Sequence, residues 1–214
     1  MSTKQPLDLR YWRDATARLL AAFEGEHQRL CELDGAIGDG DHGTSMVLGF
    51  REANRRLLAE EPTDVGAVLR AVGAAFTNQV GGVTGALFGA LFAACGEAAD
   101  GKQETSAADL ASMFAAAVEA VQKRGKAAEG DKSMLDALAP AARALQAGSA
   151  KGVLPRAALA EAAEAAAAGA ETTRGMIARV GRARYQGEKS IGHTDAGAVS
   201  VALTFQVLAQ AQRT

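Results

Sequence analysis

Apolar residues recur along the chain at spacings of three and four, the period of a helix with one buried face. The first such stretch runs from about Leu7 to Leu33, with Trp12, Ala15, Leu19, Phe23 and Leu30 on one side. A second spans about Thr44 to Ala59. The third opens on Thr63-Asp64, N-cap chemistry after Pro62, and reaches about Val80. The fourth starts at Thr84, just after Gly81-Gly82, and carries Phe88 and Phe92. In the fifth, Ser106 with Asp109 three residues on reads as a capping box, and the helix closes near Arg124 before Gly125. The sixth covers about Ser133 to Ala147. The seventh takes Pro155 in its first turn and runs through an alanine-rich stretch to Val180, and the eighth runs from Asp195 to about Gln212.

Short connections make consecutive helices antiparallel neighbours. Four of the connections then share one end of the bundle: Asp34 to Gly43, Gly81 to Val83, Gly125 to Lys132, and Gly181 to Thr194. They hold most of the glycine and the unusual polar residues. The others, Glu60 to Pro62, Asp100 to Thr105 and Gly148 to Leu154, read as plain solvated turns. The pattern predicts a single functional end, with His42 and His193 in it and His27 on the surface.

Composition agrees with helix. The chain has three isoleucines and ten aromatic residues among its 214 residues, and alanine dominates, so propensity favours an all-α protein over a sheet. Its length suits one domain. With 23 basic and 25 acidic side chains the net charge is −2, against the basic excess of a nucleic-acid or anionic-membrane binder. Neither a membrane-spanning run nor a signal-peptide core is visible. Cys31 and Cys95 fit reduced core thiols of a cytoplasmic protein.

The richest chemistry lies in Asp34 followed by Gly38-Asp39-Gly40-Asp41-His42-Gly43. Three carboxylates fall within eight residues, with no Lys or Arg between Arg29 and Arg51. Alternate residues of an extended chain share a side, so Asp39 and Asp41 can converge while the glycines let the backbone bend. Such a cluster suits a hard cation, and magnesium completes its shell with water and phosphate oxygens; the alternative is a solvated turn whose aspartates cap. The run formally matches a dinucleotide fingerprint, but no strand precedes it. Nor is it an EF-hand, because loops opened at Asp34 or Asp39 close on Ser45 or Phe50 instead of Glu.

Gly81-Gly82-Val83-Thr84-Gly85 leads into a helix whose free amides can take an anion, or forms an ordinary loop with Thr84 as N-cap. No Gly-Lys-Ser/Thr follows, so it is not a P-loop. Met134 can cover a base or join the first-turn core. Arg182 can meet a phosphate or a ribose, and Asp195 most simply caps the eighth helix. Together these groups outline a metal-bridged nucleoside phosphate site at one end.

At these residues the sequence resembles the nucleotide-binding L subunit of bacterial dihydroxyacetone kinase, a family also found as the C-terminal domain of single-chain dihydroxyacetone kinases. The likeness runs almost end to end in four ordered blocks. These are Asp34 with the Gly38 to Gly43 run; Gly81-Gly82 before Thr84-Gly85; Gly130-Asp131-Lys132-Ser133-Met134-Leu135-Asp136-Ala137-Leu138; and Gly187-Glu188 with Ser190-Ile191-Gly192-His193. The resemblance implies one domain over residues 1–214, an eight-helix antiparallel barrel holding ADP or ATP and two magnesium ions at one end. It places Asp34, Asp39 and Asp41 as metal ligands. It places His42, Gly43, Thr44, Ser45, Val83, Thr84, Gly125, Met134, Arg182, Asp195, Ala196 and Gly197 around the nucleotide. Ser45, Thr84 and Arg184 depart from the residues most common there.

The resemblance further implies half of an active site. A separate K subunit holds the ketose covalently through a histidine, and in the phosphotransferase-linked type an M subunit rephosphorylates bound ADP. The implied activity is transfer of the γ-phosphoryl group to dihydroxyacetone by positioning and charge neutralisation, with no general base in this chain. A kinase subunit for another small ketose such as a tetrulose, or a non-catalytic nucleotide sensor, is the alternative. Self-association stays open.

Overall fold

The structure, a computed structural model, describes residues 7–210. Its staves are α1 (Leu9–Gly25), α2 (His27–Gly35), α3 (His42–Glu60), α4 (Val65–Gln79), α5 (Gly82–Ala98), α6 (Ala107–Gly125), α7 (Leu135–Ala150), α8 (Pro155–Thr172) and α9 (Ala196–Gln210). Each packs on its neighbours in chain order, and α9 closes back onto α1 and α2. The result is the antiparallel all-α barrel anticipated, with α1 and α2 together forming one stave.

Local chemistry explains most of the boundaries. Asp64 accepts from the Ala67 amide at 2.8 Å, the Ser106–Asp109 capping box is formed in both directions, and Pro155 occupies the first turn of α8. Three expectations need correction. The first predicted helix breaks at Glu26 (φ −97°, ψ 4°), beside Gly25, a residue that weakens helix interiors. Its first two residues are instead a strand, β1 (Leu7–Asp8), paired antiparallel with β2 (Glu104–Thr105) at the plain end of the barrel. Asp8 then caps α1 through the Tyr11 amide.

The seventh predicted helix stops at Thr172 rather than Val180. There the Thr172 and Thr173 hydroxyls donate back to the carbonyls of Gly169 and Ala170, and the Thr173 carbonyl accepts from the Lys132 ammonium at 2.6 Å. The chain leaves the helix axis here, the Thr173 carbonyl accepting from the Met176 amide as well as from Lys132. Residues 173–175 form a 3-10 turn and a second 3-10 stretch covers Ala183–Ser190. The predicted end of the last helix near Gln212 lies outside the described residues.

The core is aromatic towards one side of the barrel. Phe50 stacks on Phe23 and meets Phe76 edge-on, both at 5.0 Å between ring centres, and Phe114 lies 4.6 Å from Phe205 across α6 and α9. Such pairs add to the gain from burying the rings. Where α4 and α5 cross, Gly73 brings the backbones so close that a Cβ would stand 2.7 Å from the Ala93 nitrogen. On α8 the buried stripe is Ala158, Leu159, Ala162, Ala166 and Ala170, small enough to lie close against α7. Cys31 and Cys95 are both free thiols; Cys95 is buried as expected, Cys31 only half-buried.

Candidate functional site

The acidic loop between α2 and α3 is folded by one of its own carboxylates. Asp34 Oδ2 accepts from the amides of Gly40 at 2.8 Å and Asp41 at 3.0 Å, and Gly40 sits at φ +78°, where glycine is the least strained residue. The turn gathers Asp34, Asp39 and Asp41 so that each offers a carboxylate oxygen within 4.8 Å of the others. Magnesium–oxygen distances of about 2.1 Å set neighbouring ligand oxygens about 3 Å apart and opposite ones about 4.2 Å apart. Small side-chain rotations therefore bring this all-oxygen set onto a hard cation, and the donors fit magnesium. On the facing side, the Arg182 guanidinium contacts the Asp39 carboxylate.

Beside the acids lies a cavity of about 880 Å³. Four helices begin on it: α3 at His42, α5 at Gly82, α7 at Leu135 and α9 at Ala196. Four others end nearby, so the helix dipoles largely offset one another, and the attraction for an anion comes from unpaired first-turn amides. The α5 start is set by a tight turn. Gly82 stands at φ +69°, and a Cβ on Gly85 would lie 1.9 Å from the Val80 carbonyl oxygen. Gly81 occupies the N-cap position, which places Thr84 inside the first turn and excludes its reading as the cap.

Thr84 is held by His42, whose Nδ1 lies 3.3 Å from the Thr84 hydroxyl. The other ring nitrogen is 2.8 Å from the Ser200 hydroxyl on α9. Burial lowers the His42 pKa to about 4, outweighing the opposing pull of Asp34, so the ring is neutral at pH 7 and ties three helices together. Ser200 carries no signal in the sequence, because nothing distinguishes it from the other scattered polar positions of α9, Thr204, Gln206 and Gln210.

The opposite wall is built by the loop between α6 and α7. Asp136 accepts from the amides of Gly130 at 2.5 Å and Ser133 at 2.7 Å, closing the loop and presenting Met134 to the cavity. A Cβ on Gly169 would stand 2.1 Å from the Asp136 carbonyl oxygen, so α8 must have glycine for this corner to form. Lys132 and Asp136 lie in a recognisable sequence block; the bonds of Asp136 stay within it, whereas Lys132 reaches Thr173 and His193 far along the chain. Asp195 caps α9 as expected, accepting from the Ala198 amide at 2.7 Å. Burial raises its pKa to about 6, and Asp136 and Asp34 add to the rise.

Most of the predicted site residues reach the cavity: Asp34, Asp39, Asp41, His42, Ser45, Val83, Thr84, Gly125, Met134, Arg182 and Asp195 to Gly197. Gly43 and Thr44 do not line it. Gly43 is packed against α2, where a Cβ would stand 2.2 Å from the His27 carbonyl oxygen. The Thr44 hydroxyl lies 3.0 Å from His27 Nε2, a contact at the surface, where His27 is half-buried. What these two residues can offer the cavity is first-turn amides. His193 is exposed and contributes its backbone carbonyl to Lys132. Arg184 reaches the cavity rim with its guanidinium 4.7 Å from the Tyr185 ring centre.

Comparison with known proteins assigns this arrangement to a family. The model of the DAK2 domain matches residues 36–210. The chain belongs to the DAK2-domain family. It is 39% identical over 191 residues to the ADP-binding subunit DhaL of the PEP-dependent dihydroxyacetone kinase of Escherichia coli, covering 89% of this chain and 91% of that one. This DAK2 chain is also 38% identical over 199 residues to the D-erythrulose kinase of Mycolicibacterium smegmatis, where it spans 92% of its own length and 34% of the relative's. Among solved structures, the dihydroxyacetone kinase of C. freundii in complex with AMP-PNP and Mg2+ superimposes with a TM-score of 0.74 at 26% identity. That match covers 99% of this chain and 36% of the other, so the DAK2 chain corresponds to about a third of the solved kinase.

Proposed function

We propose that this chain is the nucleotide- and magnesium-binding subunit of a dihydroxyacetone kinase, donating the γ-phosphoryl group of ATP to dihydroxyacetone held by a K-type partner. The observation that carries the reading is the meeting of three carboxylates with the α5 first turn in one cavity. Asp34, Asp39 and Asp41 would hold two magnesium ions, which when bound supply the positive charge that offsets the phosphates. The first-turn amides of α3 and α5, with the Ser45 and Thr84 hydroxyls, orient phosphate oxygens. Gly125, Met134 and Asp195 to Gly197 enclose the nucleoside, and Arg182 exchanges its Asp39 contact for phosphate or ribose.

This chain's part in catalysis is to orient the donor and exclude water around it; the acceptor comes from the partner. The likeness to ADP-binding subunits of PEP-dependent and PTS-dependent dihydroxyacetone kinases supports a multi-subunit system in which an M-type phosphotransferase-system subunit recharges bound ADP, and we place it in the cytoplasm. No helix among the described residues is long and apolar enough to cross a membrane. The likeness to a D-erythrulose kinase supports a second reading in which the ketose is a tetrulose. The purified chain should phosphorylate no free ketose, and turnover should appear when a K-type subunit is added. Phosphate transfer by the chain alone contradicts the half-site reading, and the ketose accepted by the pair decides between the two sugars.

A further inference from the structure

Lys132 is an unusual residue to bury. Its side chain is 1% exposed, and its backbone lies at φ +62°, a conformation that residues other than glycine, asparagine and aspartate seldom adopt. That backbone geometry turns the side chain inward, where its ammonium donates to the Thr173 carbonyl at 2.6 Å and the His193 carbonyl at 2.5 Å. Burying an ammonium is costly unless acceptors surround it. Here the two carbonyls do so, with Asp195 and Asp136 near enough to act on its charge.

The two carbonyls belong to the points where the chain leaves α8 and where it returns to α9. Between them, residues 174–193 form a loop that brings Arg182 over the cavity. The neck of this loop is drawn further together by the Gly192 amide on the Arg174 carbonyl at 2.8 Å and by the Asp195 amide on the Thr173 hydroxyl at 2.9 Å. Ser190 knots its interior, accepting from the Ala178 amide and donating to the Gly187 carbonyl. Lys132 itself lies two residues before Met134, so one side chain joins the loop neck to the wall carrying Met134.

We propose that Lys132 is a positioning residue for the nucleotide, its ammonium clamping both ends of the 174–193 loop so that the loop, the α9 start and Met134 keep a fixed spacing around the nucleoside. The proposal rests on the reading of the cavity as a nucleotide site. An apolar residue of similar length would fill the same space yet take the ammonium from both carbonyls, leaving Thr173 with only the Met176 amide and the neck free to open. The metal cluster and the α5 start lie outside the clamp, and the loop reaches the cluster only where Arg182 meets Asp39.

The test uses Lys132→Met and Lys132→Gln in the full chain. Amide hydrogen exchange without ligand should rise within 174–193 and the first turn of α9 while α3 to α5 keep wild-type protection. Calorimetric affinity for ADP with magnesium should fall about tenfold, as expected for losing hydrogen bonds to a charged donor. Affinity for magnesium pyrophosphate, which lacks the nucleoside and meets the loop only through Arg182, should fall clearly less than affinity for ADP. A uniform rise in exchange, equal losses for ADP and pyrophosphate, or failure of both variants to fold would make Lys132 a general fold residue and overturn the proposal. Absence of ADP binding by the wild-type chain would instead overturn the nucleotide reading, while the exchange pattern would still report on the clamp.

Discussion

Asp195 shows how a single side chain serves the fold and bears a cost for the site. Its carboxylate caps α9, yet burial and the nearby Asp136 and Asp34 raise its pKa to about 6, against 3.8 for the free residue. Between pH 4 and 6 the folded chain therefore binds more protons here than the unfolded chain. This contribution to stability is fully present below the unfolded value and is lost as pH rises through the folded one. Asp195→Asn keeps a competent cap and removes the titration. Metal-free thermal unfolding should show wild type gaining on the variant as pH falls from 6 to 4; parallel profiles would contradict the assignment. Gly85 is set by contact instead. Gly85→Ala should cost about 1–3 kcal/mol in denaturant unfolding, since the clash is with backbone that cannot rotate away.

Element boundaries were legible wherever the signal was local. Asp64, Ser106 with Asp109, and Pro155 mark helix starts through chemistry contained within one turn, and the structure retains all three. The three aspartates were legible for the same reason, since eight residues contain the whole cluster. The end of α8 was not legible. Alanine carries the helix through Ala170, and the exit at Thr173–Gly175 is held from Lys132, 41 residues away in sequence. Likewise, nothing near Gly43 announces that its missing Cβ accommodates α2. The break after α1 lies between these cases, marked by a glycine that propensity alone does not make decisive. Because nothing stands within 4 Å of a Cβ built on Gly25, Gly25→Ala should be tolerated and stabilise by about 0.5–1 kcal/mol. Equilibrium unfolding by urea measures this, and a loss of stability would show that the break requires glycine.

At the scale of the molecule, closing an antiparallel barrel sets every second loop at one end, so residues from four distant segments meet there, with His42, Lys132 and Met134 buried among them. The plain end carries the short β1–β2 pair, and the chemistry collects at the other. Such a site binds and orients through its loops and first-turn amides, while the barrel beneath supplies rigidity. The central claim is that the carboxylate cluster and the phosphates share divalent ions. Calorimetric titration of ADP into the wild-type chain and into Asp39→Asn, each with magnesium and with chelator, tests it most directly. The account predicts wild-type binding that weakens at least about tenfold on chelation, and a variant that binds weakly in both conditions yet keeps its helical content. ADP affinity that ignores both magnesium and the Asp39 charge would contradict it.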